Sequence, residues 1–209
     1  MLNHLEQEGK TTVVLTSTHA ALAVLGVADT LRETSVAAVK ELHALGVRTV
    51  MLTGDNAATA QAIATEVGID DVRGNLLPED KLTAMTAMLA EHGAVGMVGD
   101  GINDAPALAK ASIGFAMGAA GTDTALETAD VALMQDDLRK LPLFLALSRH
   151  TARVLTQNIA LAISIKAVFF ALALAGKATL WMAVFADIGT SLLVVFNGLS
   201  LLRFRRGNP

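Results

Sequence analysis

Apolar residues follow two different patterns along this chain. Up to about residue 138 they come in short aliphatic runs of about five residues, separated by helical stretches of about twelve. From residue 159 onward they form two nearly unbroken runs, at 159–175 and 180–202. The first pattern predicts an α/β region with buried strands, and the second predicts a pair of long apolar helices.

The predicted α/β region opens with a β-hairpin of two strands, at 11–16 and 20–27. The elements expected after it are helix 33–45, strand 47–52, helix 56–67, helix 78–92, strand 94–98, strand 113–117, a short helix near 122–128 and strand 131–134. This alternation predicts a parallel sheet with helices on both faces. Ligands of such sheets bind at the carboxyl ends of the strands, so the loops that follow the strands are the candidate functional segments.

The two apolar runs have the length of membrane spans. At 1.5 Å per helical residue, each run crosses or nearly crosses about 30 Å of hydrocarbon, and residues 176–179 between them allow only a tight turn. The flanking arginines are Arg149 and Arg153 before the first run and Arg203, Arg205 and Arg206 after the second. Because positive residues collect on the cytoplasmic side, both ends of the hairpin are predicted to be cytoplasmic. The alternative is a buried hairpin of a soluble protein.

Each apolar run contains one ionisable residue near its middle, Lys166 in the first and Asp187 in the second. Such a residue costs at least about 2.5 kcal/mol if it faces lipid at the bilayer centre, so it usually has a function. Counted from the turn, the two residues lie at depths of about 15 and 10 Å, which allows them to meet. A divalent cation could compete with the lysine for the carboxylate oxygens. The alternative is a structural ion pair that locks the two helices together.

Composition and charge narrow the class of protein. The 209 residues include no cysteine, 53% are hydrophobic and only 17% are charged, which excludes a disordered tail, a disulfide-linked secreted module and a cysteine-ligated zinc fold. Residues 1–138 carry 7 basic and 19 acidic side chains, whereas residues 139–209 carry 9 basic and 1 acidic. The acidic first part argues against nucleic-acid binding, and the basic, apolar second part suggests a membrane. The polar stretch 1–10 does not have the pattern of a secretory signal.

Two of the loops that follow strands carry residues suited to phosphate chemistry. Thr53, Gly54 and Asp55 offer a hydroxyl, an unhindered amide and the start of a helix, although a turn before an aspartate-capped helix would look the same. Asp100 and Asp104 flank a glycine-containing loop. Two hard carboxylates on one turn suit a Mg²⁺ ion that also accepts phosphate oxygens.

A structural interpretation of the same residues stays open. Asp100 is then a turn residue, Asp104 is a helix cap before Pro106, and Lys81 is an exposed lysine in the first turn of a helix. In the functional interpretation, Lys81 is the cation that neutralises a transferring phosphoryl group.

Taken in order, four motifs resemble the phosphorylation domain of P-type cation ATPases. They are Thr53-Gly54-Asp55-Asn56, Leu77-Pro78-Glu79-Asp80-Lys81, the segment VGDGINDAPAL at 98–108, and Gly121-Thr122-Asp123. The resemblance extends from about Gly26 through the last apolar run, which is the layout of the heavy-metal branch. It implies a haloacid-dehalogenase-like α/β fold followed by a two-helix transmembrane hairpin, in agreement with the predicted parallel sheet.

The resemblance also implies roles for the candidate residues. In the family, the residues that correspond to Thr53, Gly54 and Asp55 contact the phosphate and support dephosphorylation. The residue that corresponds to Lys81 stabilises the phosphoryl group. By the same correspondence, Asp100 ligates Mg²⁺, and Asn103 and Asp104 organise the site. The implied cofactors are Mg²⁺ and ATP, with most of the ATP site outside this chain.

Within the heavy-metal branch, the two apolar runs resemble those of zinc, cadmium and lead exporters. The copper-type pumps have a Tyr-Asn pair in the penultimate helix and Met-x-x-Ser-Ser in the last, and neither is present. Lys166 and Asp187-Ile188-Gly189 instead fit the zinc, cadmium and lead type, in which the aspartate binds the transported metal and the lysine is its counterion. The implied partners are the lipid bilayer and the remaining pump domains, and the implied location is the bacterial inner membrane, as a multi-pass protein.

The sequence also departs from the family. It contains no Asp-Lys-Thr-Gly-Thr motif, which carries the phosphorylated aspartate, no His-Pro motif of the nucleotide-binding domain and no Cys-Pro-Cys motif. Residues 1–27 resemble the end of the nucleotide-binding domain, residues 28–148 an incomplete phosphorylation domain, and residues 149–209 the last two membrane helices. Met1 is therefore expected to mark a truncation, a split gene product or an internal start, and the isolated chain is expected to be inactive.

Two other functions remain open at this point. A membrane-tethered phosphatase of the dehalogenase type would need a nucleophilic aspartate after its first strand, and the sequence has neither Asp-x-Asp nor Asp-Lys-Thr-Gly there. A non-catalytic partner subunit would dock on a full-length pump through the helices that carry Lys166 and Asp187.

Overall fold

The computed structural model describes residues 11–18, 20–27, 31, 33–99, 102–117 and 127–203. The chain divides into two compact units, Met1–Pro142 and Leu143–Pro209. The first unit contains all the strands among the described residues, and the second contains most of two long helices. The predicted domain boundary after residue 148 falls inside the first of these helices.

The elements of the first unit alternate between strand and helix. They are β1 (Thr11–Thr16), β2 (Ala21–Val27), α1 (Glu33–Ala44), β3 (Val50–Leu52), α2 (Ala57–Val67), β4 (Asp71–Arg73), α3 (Pro78–His92), β5 (Gly96–Gly99), α4 (Ala105–Lys110), β6 (Ile113–Met117) and β7 (Val131–Leu133). Two 3-10 turns, Ile102–Asp104 and Met134–Asp136, complete the described part of this unit. The predicted helix near 122–128 lies mostly outside the described residues.

The strands form three hydrogen-bonded groups. β1 and β2 form an antiparallel hairpin, which confirms that prediction. β3 pairs with β4 in parallel, and β5, β6 and β7 form a second parallel group in that order. The predicted parallel pairing is therefore confirmed, and the ladder is divided into a two-stranded and a three-stranded part.

A methionine-rich core holds the two parallel groups together. Its buried members come from α3, β5, α4 and β6, namely Met85, Met88, Met97, Ala107, Leu108 and Ala116. Val50 and Leu52 of β3 pack against this cluster, so β3 and β5 share one core. Burial of this apolar surface is the main favourable term for the fold, and it fixes the two strands whose carboxyl ends carry the candidate residues.

The second unit is a helical hairpin. Its helices are α5 (Lys140–Leu174) and α6 (Leu180–Leu199), and a 3-10 turn at Ser200–Arg203 follows. The predicted tight turn is confirmed: Gly176 has a φ of 69°, and the Lys177 amide donates to the Leu172 carbonyl at 3.0 Å, which closes α5. The Thr179 hydroxyl then caps α6 by accepting a hydrogen bond from the Met182 amide.

The first long helix exceeds the apolar run that predicted it. α5 contains 35 residues, so it is about 52 Å long, well beyond the roughly 30 Å of a hydrocarbon core. The apolar run covers only its second half, and the first half is amphipathic and carries Arg149 and Arg153. Both α5 and α6 are long and apolar enough to cross a membrane.

Candidate functional site

The loop after β3 holds the first group of candidate residues. The Thr53 hydroxyl donates to the Asp55 carboxylate at 2.9 Å and accepts from the Asp55 amide at 3.1 Å. Asn56 caps α2, because its side-chain oxygen accepts from the Ala58 amide at 2.7 Å. Asp55 is therefore not the helix cap of the structural interpretation, and its carboxylate stays beside Thr53 at the exposed edge of the sheet.

This loop is tied to the segment that leads into α3. The Leu76 amide donates to the Thr53 carbonyl at 3.0 Å. Gly74 passes so close to α2 that a Cβ atom there would lie 2.7 Å from the Cα of Ala57, a distance that only glycine tolerates. Since α3 begins shortly afterwards and carries Lys81, the backbone links the Thr53 loop to the lysine.

Lys81 and Asp104 form a partly buried ion pair. The Lys81 ammonium donates to the Asp104 carboxylate at 2.8 Å, and the two side chains are only 15% and 13% exposed. The Asp104 side chain makes no hydrogen bond to the amides that open α4. The structural interpretation of both residues is therefore wrong: Lys81 is not an exposed lysine, and Asp104 is not a helix cap.

Gly99 explains how Asp104 reaches this position. A Cβ atom on Gly99, the last residue of β5, would lie 2.8 Å from the Cβ of Asp104. The aspartate side chain therefore packs directly on the strand end, where any larger residue would displace it. The close approach fixes the carboxylate at the edge of the sheet where ligands of parallel sheets bind.

The other candidates on this edge are only partly described. Asn103 lies exposed in the 3-10 turn Ile102–Asp104. Asp100 and the Gly121-Thr122-Asp123 motif lie outside the described residues. Within the described part of the chain, no three His, Cys, Asp or Glu side chains form a metal-binding group. Mg²⁺ takes only one or two protein carboxylates beside phosphate and water, so the oxygen donor of Asp104 fits this ion.

The second candidate site lies in the helical hairpin. Lys166 and Asp187 line one cavity of about 140 Å³ between α5 and α6. The other lining residues are Ile165, Phe169, Ala183, Ala186 and Thr190. Both ionisable side chains are exposed, and among the described residues no ion pair within 4 Å joins them. The two residues thus line one open space between the helices, but the predicted contact between the ammonium and the carboxylate is not formed.

Sequence reasoning missed three polar residues of this hairpin. Thr190 lines the cavity, is 7% exposed and donates to the Ala186 carbonyl at 2.6 Å. Asn158 and Asn197 are hydrogen-bonded to each other across the helices at 2.8 Å. Their helical spacing in the sequence could have identified them, because a period of three to four residues places these side chains on the same helix faces as the cavity.

Two carboxyl groups outside the candidate site have lowered pKa values. The Thr49 amide donates to the Asp70 carboxylate at 2.7 Å and lowers its pKa, with a further contribution from His43. The Arg139 guanidinium donates to Asp137 and lowers the pKa of that carboxyl to about 2. Thr49 and Asp70 precede β3 and β4, at the opposite strand ends from Thr53, so this pair has a structural role.

A model of the family described as haloacid dehalogenase-like hydrolase matches residues 2–112. The chain belongs to this hydrolase family. The predicted haloacid-dehalogenase-like fold is thereby confirmed.

Curated relatives extend the similarity to almost the whole of this haloacid-dehalogenase-like chain. Over 202 residues it is 50% identical to a probable cadmium-transporting ATPase of Staphylococcus aureus (strain MRSA252), covering 96% of this chain and 28% of that protein. Over 205 residues it is 48% identical to the zinc/cadmium/lead-transporting P-type ATPase of Escherichia coli (strain K12), covering 98% of this chain and 28% of that protein. The chain thus spans about 28% of the length of these relatives and corresponds to their C-terminal part.

Solved structures agree with the sequence comparison. The crystal structure of a zinc-transporting PIB-type ATPase in the E2.Pi state superposes with a TM-score of 0.85 and 47% identity, covering 96% of this chain and 33% of that one. The catalytic domain of a CPx-ATPase gives a TM-score of 0.51 with 26% identity over 65% of this chain. The resemblance to zinc, cadmium and lead-transporting P-type ATPases is confirmed.

Proposed function

We propose that this chain forms the magnesium- and phosphate-binding part, and the last two membrane helices, of an ATP-driven pump that exports zinc, cadmium or lead ions. The observation that carries the proposal is the cavity shared by Lys166 and Asp187. A haloacid-dehalogenase-like hydrolase that only cleaves phosphate esters has no need of two charged residues in apolar helices, where each is costly.

In the α/β unit, the loops that follow β3 and β5 would bind and orient the phosphoryl group. The Thr53 hydroxyl would donate a hydrogen bond to a phosphoryl oxygen, and the Lys81 ammonium would neutralise its charge. Asp104 holds the ammonium at 2.8 Å and so limits the positions that it can take. Asp100 and Asp104 would hold Mg²⁺, which when bound would neutralise negative charge on the phosphoryl group.

The phosphorylated residue and most of the ATP site would come from outside these 209 residues, which contain no Asp-Lys-Thr-Gly motif. In this proposal the other pump domains transfer the γ-phosphoryl group of ATP to their own aspartate, and the loops at Thr53 and Asp104 support its later hydrolysis. The isolated chain is then inactive in ATP turnover.

In the membrane, the hairpin would carry part of the ion path. The apolar side chains on its surface suit a lipid or helix environment, as with Phe170 and Trp181, which are 66% and 71% exposed. The Asp187 carboxylate would bind the divalent ion. After the ion is released, the Lys166 ammonium would replace it as the counterion of the carboxylate. The cavity has room for an ion with several waters. The arginines at both ends favour an inner-membrane location with both ends cytoplasmic.

A chimera tests this proposal. The matching 205 residues of the Escherichia coli relative are replaced by this chain, and zinc-stimulated ATPase activity is measured in membranes from cells without their own pump. We expect zinc- and cadmium-stimulated activity, and its loss in Asp104→Ala, whereas Lys177→Ala at the turn retains it. A chimera that is correctly inserted and phosphorylated but indifferent to zinc, cadmium and lead would contradict the proposal.

A further inference from the structure

Partly buried residues recur on one face of each helix of the hairpin. On α5, the residues between 154 and 172 that are at least partly buried recur every three or four positions, at 154, 158, 162, 165, 169 and 172. On α6, the corresponding positions include 186, 190, 194 and 197. This period is that of one face of a helix, and the cavity and the Asn158–Asn197 hydrogen bond lie on these two faces. We call the two facing surfaces the hairpin seam.

An amide bridge crosses the hairpin seam. The Asn197 side-chain amide donates to the side-chain oxygen of Asn158 at 2.8 Å, and the Asn158 amide contacts the Val194 carbonyl at 3.4 Å. Both asparagines are partly buried. Through these two bonds the asparagines join α5 to α6.

The amide bridge and the cavity lie on the same faces of the two helices. Asn158 precedes Ile165, which lines the cavity, by seven residues, and Asn197 follows Thr190, which also lines it, by seven. Seven residues are close to two helical turns, so each asparagine lies on the face of its helix that lines the cavity, about 10 Å away along the axis. The bridge and the cavity therefore lie along the same line between the two helices.

We propose that Asn158 and Asn197 are positioning residues that hold Lys166 and Asp187 in register across the cavity. The apolar side chains around the seam can slide past each other at little cost in free energy. Lipid tails are as apolar as these side chains, so no hydrophobic driving force holds one position. An amide hydrogen bond has a direction and a fixed length, and in hydrocarbon it has no water to replace it. The bridge thus allows one axial position of α5 against α6. This inference rests on the proposed function for the roles of Lys166 and Asp187.

Cysteine crosslinking tests the register without any metal. The chain has no cysteine, so Ile165→Cys combined in turn with Ala183→Cys, Ala186→Cys or Thr190→Cys gives pairs with only the introduced thiols. The full chain is placed in lipid nanodiscs, and the rate of disulfide formation is measured for each pair. We expect one pair to dominate, and we expect Asn197→Leu to lower the ratio of the fastest to the second rate by about threefold or more. Gln157→Leu, which removes an exposed amide next to Asn158, is the matched control and leaves the ratio unchanged.

Metal dependence in the chimera tests the consequence for the site. We expect Asn158→Leu and Asn197→Leu each to raise the zinc concentration for half-maximal ATPase activity by about threefold to tenfold, the range of a single interhelical hydrogen bond. The double variant should raise the half-maximal zinc concentration no further than either single variant does, because each single substitution already removes the same hydrogen bond. Asn158→Gln keeps an amide oxygen that can accept from Asn197 without adding a charge, so we expect a smaller rise in the half-maximal zinc concentration than in Asn158→Leu.

The outcomes separate this inference from the proposed function. Unchanged crosslinking ratios in both leucine variants would overturn the positioning role, and so would additive losses in the double variant. Loss of zinc stimulation with unchanged crosslinking would also overturn it, because the asparagine would then act on the ion directly. A parent chimera without metal stimulation would refute the proposed function, while the metal-free crosslinking would still decide whether the bridge sets the register.

Discussion

The described part of the molecule contains two lysine–aspartate pairs in opposite states. In the α/β unit, Lys81 and Asp104 are in contact at 2.8 Å and partly buried. In the hairpin, Lys166 and Asp187 line a common cavity, both are exposed, and the described ion pairs do not include them. We call Lys81–Asp104, which are in contact, the closed pair, and Lys166–Asp187, which are not in contact, the open pair.

The difference has a packing cause. Asp104 lies against the backbone of Gly99 at the end of a strand, next to a core that leaves its carboxylate little freedom. In the hairpin, the small residues Ala183 and Ala186 line the same cavity as the charged groups, and small side chains leave open volume. We infer that the closed pair keeps a fixed cation ready for an anionic phosphoryl group, whereas the open pair leaves a carboxylate free to exchange a lysine for a metal ion.

The largest effect is expected when the Asp187 carboxylate of the open pair is removed. In the chimera, Asp187→Ala is expected to reduce zinc-stimulated ATPase to below about one-tenth of the parent, because the cavity then has no anionic oxygen donor. Ser191→Ala is the matched control, since it removes only a hydroxyl bonded to the Asp187 carbonyl. Full zinc stimulation in Asp187→Ala would show that the ion binds elsewhere.

Removing the cation of the closed pair should destabilise the α/β unit. Lys81→Met leaves a largely buried carboxylate without its partner, so we expect the free energy of unfolding to fall by about 2–3 kcal/mol. Urea unfolding of the full chain in detergent, followed by circular dichroism, measures this. Lys110→Met, at an exposed lysine of α4, should change it by less than about 0.5 kcal/mol. Equal effects of the two variants would mean that the Lys81–Asp104 contact is not formed.

The packing cause can be tested at Gly99. Gly99→Ala places a Cβ atom 2.8 Å from the Cβ of Asp104, and we expect it to cost about 1–3 kcal/mol and to shift the carboxylate away from Lys81. Gly96→Ala in the same strand is the matched control, since its nearest neighbour is the Ile113 side chain at 3.4 Å. The same unfolding measurement compares them, and a neutral Gly99→Ala would show that packing on the strand end does not fix Asp104.

Replacing Lys166 tests whether the open pair exchanges its lysine for a metal ion. Lys166→Ala leaves the Asp187 carboxylate without a competing ammonium, so bound metal should leave more slowly, by about tenfold. A chelator chase of zinc-loaded chimera measures the release rate, with Lys177→Ala as the control. Release as fast as in the parent would mean that Lys166 does not act as the counterion.

The smallest expected effect concerns Asp70, which belongs to neither pair. Its pKa is lowered from 3.8 by the Thr49 amide, so its contribution to stability is present above pH 3.8 and is lost as the pH falls through the lower folded value. In Asp70→Asn, the free energy of unfolding should therefore fall less steeply as the pH drops below about 4. Thermal unfolding of the full chain between pH 3 and pH 6 measures this, and an equally steep fall in Asp70→Asn would contradict it.

The sequence predicted regular elements well where the local pattern was strong. The bounds predicted for β1, α3 and β6 agree with the structure, because each is a clear apolar or helical run bounded by turn residues or caps. Strand β4 was missed, since Asp71–Arg73 is three residues long and has charged ends, which is no strand pattern. α5 was predicted too short, because only its second half is apolar.

The side-chain partners of the candidate site could not be predicted in the same way. The Lys81–Asp104 pair joins residues 23 positions apart, and the Asn158–Asn197 bridge joins residues 39 apart. Neither separation has a period that a local pattern could reveal, because both depend on how whole elements pack. Family resemblance predicted functional roles for Lys81, Asp104, Lys166 and Asp187, but it did not indicate that one pair is closed and the other open.

Zinc uptake into inverted membrane vesicles that contain the chimera tests the central claim most directly, since it requires both pairs in one molecule. The account predicts ATP-dependent accumulation of ⁶⁵Zn that is lost in Asp187→Ala and in Asp104→Ala but kept in Lys177→Ala and Ser191→Ala. Accumulation that persists in Asp187→Ala, or that is absent although the chimera is inserted and phosphorylated, would contradict it.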